Sequence, residues 1–358
     1  MKICIVTGGT GGHIYPALAL ASLWKEQDPD VSIFFIGNNN RMEAELIPQK
    51  GFRFYGLHTS GLTGSLMDKA KAVIQMLEAK KQAAALLKKE KPDLVIGFGG
   101  YVSAPVLMAA QKLHIPTMVH EQNSVIGKAN KVVINKADAV VACYDNILDQ
   151  LPSDRTRLLG NPRGSLAARV TFDQAYFDEL GLDPNLRTIL VMMGSLGSSS
   201  VNDLMKEALS DLDPGFQVVY AAGRDNSQDL NLFDNECIHV FPFVDTLRLY
   251  GAIDGMICRA GATTLAEVTA LGIPSIIIPS PYVANNHQFF NAKQLTDRHA
   301  AWMIEEKDLN GKTLKKAIQT VFEDDQKRDE MAANARKLGK PNAALDMIVW
   351  GQALAAHK

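Results

Sequence analysis

The chain has 358 residues, 47% of them hydrophobic and 21% charged, a balance ordinary for a soluble globular protein and long enough for two domains. A formal net charge of −2 argues against a global attraction to nucleic acid, so any basic patch is local. Cys4, Cys143, Cys237 and Cys258 stand far apart with no Cys-x-x-Cys pair, which supports neither a disulfide framework nor a zinc knuckle and points to reduced thiols in the cytoplasm.

In chain order, Ile3-Cys4-Ile5-Val6 predicts a buried strand, too short for a signal-peptide core. Gly8-Gly9-Thr10-Gly11-Gly12-His13 follows, then an Ala/Leu-rich helix to about Lys25. Strand, glycine loop and helix open a mononucleotide-binding βα unit, yet the glycines fit neither G-x-G-x-x-G nor a P-loop. The strand at 31–36 ends in Gly37-Asn38-Asn39-Asn40-Arg41, without the acidic residue that a dinucleotide enzyme places there for the ribose. A dehydrogenase reading loses both of its signatures.

Residues 66–91 predict a long helix with Leu66, Ala70, Val73, Leu77, Ala84 and Leu87 on the face toward a sheet. Lysines 69, 71, 80, 81, 88, 89 and 91 decorate it, and Ile74, Met76 and neighbouring lysines suggest contact with an anionic membrane. No apolar run approaches the length of a membrane span.

Asp93, an apolar strand, a glycine turn at 97–100, a helix, Ile115-Pro116 and a further strand recur in the same order from Asp254 through Ile273-Pro274. Residues 188–197 likewise mirror the opening strand and glycine loop. Two such echoes predict an α/β protein of two doubly wound, Rossmann-like domains whose strand ends face a shared cleft, with the seam between 160 and 184. Beyond Gln288 the pattern gives helices, a last strand near 302–305, and a terminal apolar helix at 343–356 that returns to the first half.

The most informative stretch is 254–288. After the strand ending at Cys258 come Arg259-Ala260-Gly261-Ala262-Thr263-Thr264-Leu265-Ala266-Glu267, with Thr263 and Thr264 as candidate helix caps. A helix start beside an arginine suits a phosphate, and Glu267 one turn further suits the vicinal hydroxyls of a ribose. His13, Tyr101, His120, Glu121, Asn123, Ser195 and Gln288 also fall where such sheets place ligands. His13 is a candidate base, Gln288 can bond sugar hydroxyls in both senses, and His120-Glu121-Gln122-Asn123 lacks the second histidine of a zinc motif.

Taken together, Thr7-Gly8-Gly9-Thr10-Gly11-Gly12-His13-Ile14, Gly97-Phe98-Gly99-Gly100-Tyr101, His120-Glu121-Gln122-Asn123, Gly160-Asn161-Pro162, residues 259–267 and residues 279–288 resemble the motifs of the MurG family, in order along nearly the whole chain. Members of that family are bacterial N-acetylglucosaminyltransferases of peptidoglycan synthesis. The resemblance implies a glycosyltransferase B fold. Its N-terminal domain (1–162, joined by the terminal helix at 342–358) would bind the acceptor and the membrane, and its C-terminal domain (163–341) would bind UDP-GlcNAc.

It implies inverting transfer, without metal or cofactor, to the C4 hydroxyl of lipid I, giving lipid II for cell wall biogenesis, cell shape and division. By motif position Thr10, Gly11, Gly12, Asn123, Arg163, Ser195, Val244, Arg259, Thr264, Leu265, Glu267 and Gln288 would line the donor site. Tyr101, His120 and Glu121 would contact the acceptor, and His13 would be the base. The protein would sit peripherally on the cytoplasmic face of the cell membrane, on anionic inner-leaflet lipid, with cell-wall and division machinery as partners and no nucleic acid.

Two departures from the family pattern stand out. The second glycine loop is Met193-Gly194-Ser195-Leu196-Gly197-Ser198 where the family has Gly-Gly-Ser-Gln-Gly-Ala, and Arg163 follows Pro162 directly where many members insert a residue. A UDP-GlcNAc 2-epimerase, which needs no acceptor, and a silent nucleotide-sugar-binding scaffold are the competing readings.

Overall fold

The computed structural model describes all residues except 62–64, 195–198, 210–214, 224–232, 234 and 357–358. It divides into two compact units, Met1–Ser165 with Asn342–Lys358, and Leu166–Pro341.

The first unit is built on a seven-stranded sheet of β1 (Lys2–Val6), β2 (Ser32–Asn38), β3 (Arg53–Leu57), β4 (Leu94–Gly97), β5 (Thr117–Glu121), β6 (Ala139–Ala142) and β7 (Thr156–Leu158), in the order β3-β2-β1-β4-β5-β6-β7. Every pairing is parallel. The central strands are near-continuous apolar runs because helices cover both faces of such a sheet.

The second unit repeats the plan with six parallel strands in the order β10-β9-β8-β11-β12-β13: β8 (Arg187–Met192), β9 (Phe216–Ala221), β10 (Ile238–Phe241), β11 (Gly255–Cys258), β12 (Ser275–Ile277) and β13 (Trp302–Met303). In both orders the strand direction of travel reverses beside the first strand, the point at which open α/β sheets bind ligands.

The terminal helix Ala343–Ala356 lies against the first unit's own helix Gly11–Gln27 and β4. Gly351 allows this approach, since a Cβ there would meet the Trp24 ring at 2.9 Å and Leu94 at 3.0 Å. The Ala344 N–H donates to Ser165 Oγ at 2.9 Å and the Arg157 guanidinium lies 4.3 Å from the Trp350 ring centre. These ties carry the first unit through Ser165, so Arg163 belongs to it and not to the second unit.

The helix Leu66–Glu90 forms, capped by a reciprocal pair between Ser65 and Asp68, but its buried face differs from the predicted one. Leu87 is buried as expected, but its buried companions are Ala72, Ala79 and Ala83, whereas Val73 and Leu77, expected inside, are exposed together with Met67 and Ile74; the side chain of Leu66 lies outside the described residues. Small side chains let this helix settle closely on the helix Ser103–Lys112, and Val73, Ile74 and Leu77 are turned outward.

Candidate active site

In the second unit a recess of about 320 Å³ opens beyond the ends of β8 and β11. Met192, Met193 and Gly194 line one side, Arg259, Gly261 and Thr264 another, and Ser280, Tyr282 and Gln288 the third. The helix Ala262–Leu271 starts at its wall. Gly261 is the N-cap and no side chain caps the helix, so the first-turn N–H groups and the positive dipole end remain available to an anion.

Thr263 and Thr264 were expected as caps. Because the helix begins at Ala262, both lie inside its first turn: Thr264 lines the recess and the Thr263 hydroxyl is buried without a hydrogen-bond partner.

Arg259 is nearly buried, with Nη1 donating to Glu306 Oε2 at 2.6 Å and to the Ile278 carbonyl at 3.2 Å. Gln288 enters from the helix His287–Thr296 and its Oε1 accepts the Ser280 N–H at 2.8 Å, pinning the loop that carries Tyr282. Asn291 secures the same helix from beneath, donating from Nδ2 to the Ala260 carbonyl at 3.2 Å.

Glu267 and Leu265 are buried on the helix Ala262–Leu271. The Tyr250 hydroxyl donates to Glu267 Oε2 at 2.5 Å. Burial, with the Glu267 charge second, pushes the neighbouring Cys258 thiol up to about 12. Val244 is buried ahead of Asp245, which caps the helix Thr246–Leu249, and is not among the residues that line the recess. Ser195 lies outside the described residues.

In the first unit the loops after β1 and β4 pack main chain to main chain. Gly100 has φ +85 and a Cβ there would fall against the Gly8 carbonyl, so this contact requires glycine. Thr10 precedes the helix Gly11–Gln27, and Gly11, Gly12 and His13 form its first turn. His13 Nδ1 lies 3.0 Å from Thr10 Oγ1, and its ring covers Gly99. Tyr101, beside it in sequence, is 52% exposed.

His120 and Glu121, expected at the acceptor, have no exposed surface. The His120 ring stacks on Phe98 with centroids 4.8 Å apart, and Nε2 lies 3.2 Å from the Gly160 carbonyl and 3.4 Å from Cys143 Sγ. Burial lowers its pKa to about 4, so it is neutral. Glu121 accepts from the N–H groups of Asn123 at 3.0 Å and Gly127 at 2.8 Å and from Asn130 Nδ2 at 2.8 Å. Both side chains brace the loop that presents Asn123. Arg163 Cζ stands 5.8 Å from the Tyr15 ring centre, beside the helix that carries His13.

Among the described residues no cluster of three or more His, Cys, Asp and Glu side chains is placed to hold a metal ion. Among the same residues no helix is long and apolar enough to cross a membrane.

A family model for the glycosyltransferase family 28 N-terminal domain matches residues 3–142, and one for its C-terminal domain matches residues 188–347. Among curated relatives, the UDP-N-acetylglucosamine--N-acetylmuramyl-(pentapeptide) pyrophosphoryl-undecaprenol N-acetylglucosamine transferase of Halalkalibacterium halodurans is 40% identical over 359 residues, covering 98% of this chain and 99% of its own. The chain belongs to the MurG group of glycosyltransferase family 28.

A protein of the same name in Limosilactobacillus fermentum is 38% identical over 369 residues and covers 100% of both chains. The solved structure of Acinetobacter baumannii MurG superposes with a TM-score of 0.80 at 28% identity, covering 98% of this chain and 99% of that one. A Listeria monocytogenes structure described as a putative UDP-N-acetylglucosamine 2-epimerase reaches a TM-score of 0.73 at 13% identity, a likeness of fold alone. The chain is therefore a glycosyltransferase of B fold, as the sequence motifs implied.

For this family 28 enzyme the motifs located the loops, while several groups that hold them went unread. Glu43, Tyr250, Asn291 and Glu306 each act on a partner at least 17 residues away. Nothing local in the sequence marks such pairings.

Proposed function

We propose that this enzyme transfers N-acetylglucosamine from UDP-GlcNAc to lipid I, forming lipid II, by inverting attack of the C4 hydroxyl. The names carried by its relatives over the full chain length support the donor and acceptor. The observation that carries the reading is the uncapped start of the helix Ala262–Leu271, opening on a recess lined by Arg259, Thr264 and Gln288.

Cleavage of the bond between the sugar C1 and the pyrophosphate leaves growing negative charge on the leaving phosphate. Fixed N–H dipoles at that helix start and the Arg259 guanidinium stabilise it with little reorganisation. Glu267, held by Tyr250, takes the ribose hydroxyls, and Leu265 and the Val244 main chain flank the nucleotide. On the first unit, His13 takes the proton of the acceptor hydroxyl. Thr10, Gly11, Gly12, Asn123 and Arg163 remain candidates for further donor contacts, and Tyr101 for the acceptor.

The exposed apolar groups Met67, Ile74 and Leu77, among the lysines of the same helix, suit an anionic bilayer from which a lipid acceptor is drawn. That surface has no evident use in an epimerase. The product decides the finer points. Nuclear magnetic resonance of the lipid product should show a β-linked sugar on C4 of the muramoyl residue, and an α linkage, another hydroxyl, or a free epimerised sugar would contradict the reading.

A further inference from the structure

Glu43 opens the short helix Glu43–Gln49 with no exposed surface at all. Its Oε1 accepts the Asn38 N–H at 3.0 Å, and both oxygens accept the Gly9 N–H, at 3.3 and 3.2 Å. A Cβ on Gly8 would fall against Oε1, and one on Gly37 would lie 2.7 Å from Cγ of the same side chain. The glycines around it are thus shaped to this carboxylate.

Beyond Gly8 the arrangement continues. The Gly8 main chain lies against Gly100, and the adjacent Gly99 carries the His13 ring, so close that a Cβ there would stand 2.5 Å from Cδ2 and 2.9 Å from Nε2. Glu43, Gly8, Gly100, Gly99 and His13 form one packed series. An apolar side chain in place of Glu43 would avoid the cost of burying a charge but would leave the Gly9 and Asn38 N–H groups without this acceptor.

We propose that Glu43 is a positioning residue for the transfer reaction: it fixes the main chain of Gly8 and Gly9 and through it the placement of the His13 imidazole. This rests on His13 being the base. Glu43→Gln sets an amide NH2 against the N–H donors, which shifts the loop without emptying the site. A displacement on the order of 1 Å costs roughly a hundredfold in turnover. The expected result is kcat lower by about that factor, with the KM for UDP-GlcNAc and the calorimetric affinity for UDP unchanged.

In a His13→Ala background the same substitution should cause no further loss of kcat. Glu43→Asp, which keeps the charge but is one methylene short of its partners, should show the same pattern and serves if Glu43→Gln does not fold. Unchanged kcat in a folded Glu43 variant, or an equal fractional loss with and without His13, would overturn the proposal. Near-normal turnover of His13→Ala alone would instead overturn the assignment of the base.

Discussion

The Tyr250 hydroxyl lies 2.5 Å from Glu267 Oε2, with both side chains buried in the second unit. A carboxylate so held is oriented before any ligand arrives. Hydrogen bonds to a charged group contribute about 1.5 to 3 kcal/mol each, so Glu267→Ala should weaken UDP binding about tenfold or more. Tyr250→Phe should weaken it less, by releasing the carboxylate without removing it. Calorimetry with UDP checks both, and unchanged affinity in Glu267→Ala would place the ribose elsewhere.

His13→Ala should keep the affinity for UDP while lowering turnover by about a hundredfold or more, the usual contribution of a general base. The measurement is steady-state transfer to lipid I beside calorimetry on the same preparation. Near-normal turnover would remove His13 from the chemistry.

Gly100 has φ +85 and its missing Cβ would meet the Gly8 carbonyl. Gly100→Ala combines a left-handed backbone penalty with a main-chain clash and should destabilise the fold by about 3 kcal/mol or more. Denaturant unfolding with the circular dichroism of the helices as readout checks it.

The pH dependence of stability carries the mark of His120, whose pKa falls from 6.5 to about 4 through burial. Between those values the unfolded chain binds a proton there that the folded protein does not, so stability is lost as pH falls from about 6.5 toward 4, by up to about 3 kcal/mol. Buried Glu121 acts in the opposite sense, because burial raises its pKa and the folded protein takes up its proton first. The comparison of wild type with His120→Asn isolates the histidine: the variant should lose less stability over that range. Parallel stability curves would show that His120 does not titrate as described.

Ile74 and Leu77 are 58% and 59% exposed on the lysine-bearing helix. Replacing each by Glu removes about 1.5 to 3 kcal/mol of apolar burial in a bilayer and adds like-charge repulsion. Sedimentation with vesicles containing anionic lipid should show binding weakened at least tenfold, with UDP affinity unchanged.

The sheets were readable because buried parallel strands are written as apolar runs, and because the chain repeats its own plan. Asp93 Oδ2 accepts the Lys2 N–H at 2.8 Å, and Asp254 Oδ2 accepts the Thr188 N–H at 2.9 Å, so the echoed aspartates do the same work at the start of the central strand pair in each sheet. On the helix Leu66–Glu90 the expected face holds at Leu87 but not at Val73 and Leu77, because periodicity weights large apolar residues toward the core. Here Ala72, Ala79 and Ala83 make the buried contact and Val73 and Leu77 do not.

At the site, the motifs gave the positions of Arg259, Thr264 and Gln288 around one recess. They did not give the burial of His120 and Glu121, which depends on Phe98, Cys143, Gly160 and Asn130 from other segments.

The central claim is transfer of the sugar from a nucleotide to a lipid. The wild-type protein, given UDP-GlcNAc radiolabelled in the sugar and lipid I in vesicles, should move label into the organic phase on extraction. Glu267→Ala should need a higher donor concentration to reach a similar maximal rate. Label that stays in the aqueous phase, as intact donor, free sugar or its epimer, would contradict the account.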